Sequence, residues 1–443
     1  MERLIEKDLS RWRESPDRKP LVLFGARQVG KSHTLTEFGA REYGDVAYFF
    51  FENNPRLQSL FDRGVEDAHS LVEDLSAYSG RAISPGSTLI IFDEIQACGA
   101  ALSSLKRFCE DAPEYHVACA GSALGLALER GGFSFPVGKA DAMHMRPMSF
   151  EESLSALGNA PLLDAIRDGF ESDSPLPPAL HSKAMEAYRR YLVVGGMPEA
   201  VKTYAERGDL MLVKAKQMSI LDAYATDMGK HSTPQEANRT RAAYNSLPFQ
   251  LAKENRRFQY NLIKSGARAK EYEGSLEWLK TAGIALECRK TQGKAPLSFY
   301  SDPLSYKVYM SDVGLLAAKG DFIPSSIISD AGMGGEARGA LAENYVAQEI
   351  AAGGRDLYYW ESEGRAEVDF VIQGERGAIP VEVKAAENTR SRSLGVFRDT
   401  YSPEYSIRVS GRNFGFENGI KSVPLYAAWC LRLLPGARRP AWG

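Results

Sequence analysis

One octapeptide, GARQVGKS at residues 25–32, constrains this chain more than any other stretch. It fits G-x-x-x-x-G-K-[S/T] and follows LVLF at 21–24, an apolar run of strand length. From His33 onward the sequence can continue as a helix. Strand, glycine loop and helix in that order are the setting in which such a loop cradles phosphate. Gly25 and Gly30 let the backbone curl, so that N–H groups from Arg27 through His33 point at phosphate oxygens. Within that span, Arg27, Gln28 and Val29 form the crown of the loop, and the His33 side chain reads as a solvated or packed helix residue. Lys31 reaches the β- and γ-phosphates, and the Ser32 hydroxyl ligates the Mg²⁺ that they carry. ATP and Mg²⁺ are therefore the expected ligands.

A parallel sheet is expected around this loop. VAYFFF at 46–51, TLIIF at 88–92 and YHVACA at 115–120 are strand-length apolar runs separated by helical stretches, and such alternation places ligands at the strand C-termini. The run at 88–92 ends in Asp93 and Glu94. Asp93 is placed to hold Mg²⁺ and Glu94 to polarise the attacking water. The run at 115–120 leads to Ser122, a candidate γ-phosphate sensor.

GARQVGKS, IIFDEIQ, AGSALG and RPMSFEE, in this order and spacing, resemble a large prokaryotic family of AAA-type ATP-binding proteins. Members carry a C-terminal domain of unknown function related to the PD-(D/E)xK nuclease fold. The resemblance implies a P-loop AAA-type α/β ATPase core with a parallel sheet, and counts Arg27, Gln28 and Gln96 as motif residues. The chain departs from the family at Gly138–Lys139, where an arginine usually follows the glycine. Lysine lacks the planar fork of arginine, so no finger role is given to Lys139; Arg146 reads as structural, and Arg27 is the candidate phosphate contact in cis. AAA-type relatives often form rings and some act as monomeric switches, so the resemblance leaves both a homo-oligomer or protein partner and a monomer open, with the absent arginine weighing against a finger supplied in trans.

Residues 151–231 read mostly as helix, a helical lid broken sharply at Gly195–Gly196–Met197–Pro198. Residues 232–330 suggest a winged-helix-like region, with helices at 245–254 and 271–282 and a wing formed by 284–288 and 297–300. Thirteen Lys/Arg against six Asp/Glu fall between 230 and 300, in a chain whose net charge is −3. A basic segment in an acidic chain is a candidate surface for nucleic acid, DNA being favoured.

The last part, 331–443, reads as a restriction-endonuclease-like α/β domain: a helix at 336–352, then strands at 357–360, 367–373 and 378–384. Alternation puts Glu382 and Lys384 on one face, within reach of Asp369, with Glu343 pointing inward from the helix. In this constellation Asp369, Glu382 and Glu343 bind a divalent metal, and Lys384 orients or activates water. Cross-strand ion pairs in an ordinary hairpin are the competing reading.

The 443 residues bound the domain count at two to four. The five scattered cysteines lack C-x-x-C spacing, so reduced thiols rather than a zinc site are expected. The charged start has no signal-peptide core and no run reaches membrane length, which gives a cytoplasmic expectation without membrane contact.

Overall fold

The computed structural model describes residues 1–62, 67–121, 136–230, 232–253, 256–329, 333–362, 366–385 and 392–436. Two compact units are present, one spanning Glu2–Arg146 and the other beginning at Pro147.

The first unit is built on five strands: β1 (Leu21–Phe24), β2 (Asp45–Phe50), β3 (Thr88–Asp93), β4 (His116–Ala120) and β5 (Asp141–His144). All pair in parallel, in the order β2-β3-β4-β1-β5. Every residue of β3 and β4 is buried, which is why both read as unbroken apolar runs rather than alternating ones. Phe49, Phe51, Phe61, Phe92 and Phe108 form an aromatic cluster in the core beside Leu57 and Leu105. An N-terminal helix, Glu6–Glu14, buries Leu9 and Trp12. It is held by Arg41–Glu6 at 2.7 Å and by the Trp12 indole N–H on the Lys19 carbonyl at 2.8 Å.

The second unit opens with five helices, Phe150–Ala156, Ala160–Ser172, Pro178–Val194, Pro198–Arg207 and Leu210–Asp227. The segment expected as a lid thus belongs to this unit and not to the ATPase-like one. The expected break falls between Val194 and Pro198. Helices Pro234–Leu251 and Ala269–Thr281 follow, and then β6 (Ala285–Thr291) and β7 (Ser301–Met310).

The wing differs from expectation. Residues 297–300 are turn rather than strand, and the partner of β6 is the longer β7. β6 also pairs in parallel with β8 (Leu357–Glu361), which pairs with β9 (Glu367–Val368). The hairpin is therefore integral to a four-stranded sheet, order β7-β6-β8-β9, that crosses the boundary drawn at 330. β7 carries no period-two signature in the sequence because consecutive residues Lys307 to Met310 are all buried.

The expected strand 367–373 is two strands. Asp369 interrupts it, and β10 (Phe370–Gly374) enters a different sheet, β10-β11-β12-β14-β13. That sheet contains β11 (Gly377–Val383), β12 (Ser406–Ser410), β13 (Gly415–Glu417) and β14 (Ile420–Pro424). The helix expected at 336–352 spans Gly335–Ala352 and is buried without a break from Ala340 to Ala351.

The five cysteines are free thiols, four of them buried. Among the described residues no helix is long and apolar enough to cross a membrane.

Candidate functional site

In the first unit, β1 delivers the chain to Gly25, whose φ is +149°. A Cβ there would lie 2.2 Å from the Met145 carbonyl oxygen, so only glycine fits. Gly30, at φ +96°, is left-handed and serves as N-cap to the helix Lys31–Glu42, a backbone state that glycine adopts without strain. Gln28 is also left-handed, at φ +65°. The loop turns tightly and opens directly into a helix N-terminus, where unpaired N–H groups and the helix dipole favour anions.

Lys31 lies in this turn with only 7% of its surface exposed. Its ammonium donates to the carbonyls of Gly25 and Ala26, both at 2.9 Å. Burial pulls its pKa down to about 8, against the opposing pull of Glu94 and Asp93, with Arg27 adding to the lowering. Across the parallel sheet Asp93 lies level with Ala120, and Ala120 level with Leu23 at the end of β1, so the loop and the end of β3 sit at the same edge of the sheet, where Asp93 and Glu94 act on the Lys31 charge. Ser32 is half-buried beside Lys31, and His33 is exposed.

Asp93 is 4% exposed. Its Oδ1 accepts the Glu94 N–H at 3.0 Å, and its Oδ2 accepts the Tyr48 hydroxyl. Glu94 stands in the left-handed region at φ +50°, a cost a non-glycine residue bears when its side chain must be aimed. The Gln96 amide donates to Glu94 Oε2. Three contributors here carried no local signal. Tyr48 reads as an ordinary strand residue, Gln96 as a motif letter without a role, and Arg3 as part of a charged start. Yet buried Arg3 donates to the Val29 carbonyl at 2.8 Å and to the Arg146 carbonyl at 2.7 Å, tying the loop to the chain after β5. Lys139 pairs with Glu110 at 2.8 Å. Ser122 lies outside the described residues.

The second set of candidates, in the second unit, is a cluster of paired charges. Glu343, buried in its helix, is an ion-pair partner of Arg256 and of the fully buried Lys307, the latter at 3.3 Å, and accepts the Tyr309 hydroxyl at 2.5 Å. Lys307 also pairs with Glu367 at 2.5 Å and sits 5.0 Å from the Tyr359 ring centroid. Asp369 Oδ2 accepts the Val383 N–H at 2.7 Å. Lys384 pairs with Glu382 at 2.7 Å. Burial works against its charge, but Glu382 and then Asp369 hold its pKa above the ordinary lysine value.

The expected metal set of Glu343, Asp369 and Glu382 does not assemble. Among the described residues no group of three or more His, Cys, Asp or Glu side chains is arranged to hold a metal ion. The physical reason is electrostatic: Arg256 and Lys307 neutralise Glu343, and a bound cation would have to displace them from a buried carboxylate.

The basic stretch is likewise partly consumed. Lys280 and Arg289 pair with Glu287, and Lys290 with Glu361. Helix Ala269–Thr281 exposes Glu271, Glu273 and Glu277, while Lys253, Lys264, Arg268 and Lys270 are exposed before it or in its first turn. Positive charge thus collects on the connection, not on the helix that would be the reader in a winged helix.

Strand order β2-β3-β4-β1-β5, a glycine loop after β1 and an acidic pair at the end of β3 together define a P-loop ATPase-like α/β unit. Comparison with known families agrees for this part: residues 17–154 match an AAA domain. Residues 185–325 match a domain of unknown function (DUF8612), and residues 338–428 match another (DUF4143). The AAA match supports ATP binding and hydrolysis as the general activity of that region. Similar solved structures include a Walker-type ATPase of Pyrococcus abyssi, at 16% identity and a TM-score of 0.40, covering 71% of this chain and 94% of that one. They also include the Aeropyrum pernix ORC1 protein in complex with DNA, at 14% identity and a TM-score of 0.29, over 72% and 93%. The Thermotoga maritima RuvB Holliday junction branch migration motor is a third, at 13% identity and a TM-score of 0.31, over 69% and 90%. No curated protein sequence matches the chain.

Proposed function

We propose that this chain is a Mg²⁺-dependent ATPase that uses nucleotide turnover to control a DNA-directed, nuclease-like second unit. The observation that carries the ATPase reading is the convergence of buried Lys31 with Asp93 and Glu94 at the mouth of a glycine loop. The donor set fits a Mg²⁺-nucleotide: a buried ammonium whose hydrogen bonds go to loop carbonyls, a hydroxyl at Ser32, and a buried carboxylate at Asp93. In this reading the loop N–H groups and Lys31 bind the phosphates, Ser32 and Asp93 hold the metal, and Glu94 orients the attacking water. Bound Mg²⁺ supplies charge neutralisation of the phosphate oxygens. Arg27 supplies a phosphate contact in cis.

The working division is an ATPase core at 1–150, a relaying helical segment at 151–231, a nucleic-acid contact within 232–330 and the nuclease-like domain at 331–443. The exposed cations at Lys253, Lys264, Arg268 and Lys270 support the contact. A second reading, in which the last domain binds nucleic acid or a protein partner without cutting, is favoured by one observation. Two of its acids are paired with the chain's own cations, Glu343 with Arg256 and Lys307 and Glu382 with Lys384.

Lys31→Ala should abolish nucleotide binding, and Glu94→Gln should keep binding while stopping hydrolysis. Both are read by fluorescent-nucleotide titration and phosphate release. Turnover retained in both variants overturns the ATPase assignment.

A further inference from the structure

We propose that Tyr48 is a positioning residue for the metal site: its hydroxyl fixes the Asp93 carboxylate in the orientation that receives Mg²⁺. The inference rests on the reading of Asp93 as the acid that holds the metal. Asp93 is 4% exposed, and a buried carboxylate needs donors on both oxygens to stay in one orientation. The backbone supplies one, the Glu94 N–H on Oδ1 at 3.0 Å. The other comes from the neighbouring strand, where the Tyr48 hydroxyl donates to Oδ2.

The register explains why the residue must be long. Tyr48 pairs with Ile91 across β2 and β3, while Phe50 is the residue level with Asp93. Side chains two residues apart along a strand share a face, so Tyr48 and Phe50 point the same way, and only a side chain of phenol length spans the diagonal from position 48 to Asp93. The ring itself does not account for tyrosine here. It is 44% exposed, and phenylalanine would cover the same surface. What distinguishes tyrosine at this position is the hydroxyl and its one acceptor.

Two donors on opposite oxygens hold the carboxylate plane against rotation. Without the hydroxyl the carboxylate turns more freely, and the metal must bear the entropy of fixing it. Tyr48→Phe should therefore leave Mg²⁺-free ADP binding at the wild-type value while lowering the melting temperature modestly, since a buried carboxylate loses a donor. The concentration of divalent ion that half-saturates the protein–ADP complex should rise about tenfold, the size of one charge-assisted hydrogen bond. Mn²⁺ titration followed by electron paramagnetic resonance reads this without turnover, with Asp93→Asn measured beside it. A tenfold rise in Tyr48→Phe together with a larger one in Asp93→Asn supports the proposal. An unchanged or lowered midpoint in Tyr48→Phe, with Asp93→Asn shifted, overturns the role of Tyr48 and leaves that of Asp93 standing. An unchanged midpoint in both overturns the metal-holding role of Asp93, and the Tyr48 proposal with it.

Discussion

Lys31 carries the most exacting electrostatics in the first unit. A charged ammonium buried to 7% exposure is costly, and burial depresses its pKa to about 8. Phosphate binds the protonated form and raises the pKa again. The free protein therefore holds the proton below about pH 8 and releases it above, whereas the nucleotide complex keeps it. Nucleotide affinity should be flat below pH 8 and fall by up to about tenfold per unit above it, until the pKa of the complex is reached. Isothermal titration across pH 7 to 10 checks this, and an affinity that stays flat through pH 9.5 contradicts it. Lys31, Gly30 and Asp93 were legible in the sequence because each belongs to a local pattern with its own chemistry. Arg3, Tyr48 and Lys307 were not. Their partners lie on distant stretches of chain, at Val29, Asp93 and Glu343, and no period or spacing encodes such pairs.

At the scale of elements, the helix Gly335–Ala352 organises the second unit. Asn344 accepts from the Met310 N–H at 2.8 Å and donates to its carbonyl at 3.0 Å, and Gln348 accepts the Val313 N–H at 2.9 Å. Gln348 also donates to the Tyr191 hydroxyl at 2.6 Å. Glu349 Oε1 accepts the Phe150 N–H at 2.9 Å, and its Oε2 makes no hydrogen bond among the described residues. Burial raises the Glu349 pKa to about 8, opposed by the Phe150 N–H and assisted by Glu152 and Asp312. The folded protein thus holds a proton that the unfolded chain, with an ordinary value of 4.5, releases much earlier. The stability linked to that proton is fully present below about pH 4.5 and is lost as pH rises through 8. Glu349→Gln keeps the acceptor and removes the titration. Its melting temperature should exceed that of wild type above pH 8, the gap narrowing toward pH 5; parallel melting curves for the two proteins across this range would refute the assignment.

The existence of this helix was plain from its composition, but its role was not, since polar residues buried among apolar ones blur the periodic signal. The same limit applies to the interrupted strand around Asp369. A run of alternating residues reads as one strand, whereas the switch between two sheets falls at Asp369, whose carboxylate accepts the N–H of Val383 on the distant β11.

At the scale of the whole molecule, an AAA-like unit precedes a second unit with its own helices and two sheets. Order along the chain was legible, because strand-like and helix-like segments follow one another as the sequence suggests. Pairing across the expected boundary at 330 was not, because β6 joins β8 over β7 and, among the described residues, three intervening helices. The charges separate the two readings of this unit. On the reading in which this domain binds without cutting, with Glu343 held by Arg256 and Lys307 and Glu382 by Lys384, wild type, Asp369→Ala and Glu382→Ala should all leave DNA uncut with ATP and Mg²⁺ or Mn²⁺, while oligonucleotide binding persists and weakens steeply with salt. Cutting by wild type that both variants lose would establish the nuclease site instead.

The helix Gly335–Ala352 has one further consequence, which concerns descent. It offers polar contacts in several directions at once: toward Arg256 and Lys307 from Glu343, toward Met310 from Asn344, and toward Phe150 from Glu349. A helix buried along most of its length has no side on which a changed residue can drift into solvent. Substitutions at positions 343 and 348, whose partners are side chains, should accordingly travel with them, so that related sequences change position 343 together with 256 and 307, and 348 with 191, or not at all, whereas 344 and 349, which bond backbone groups, should simply resist change.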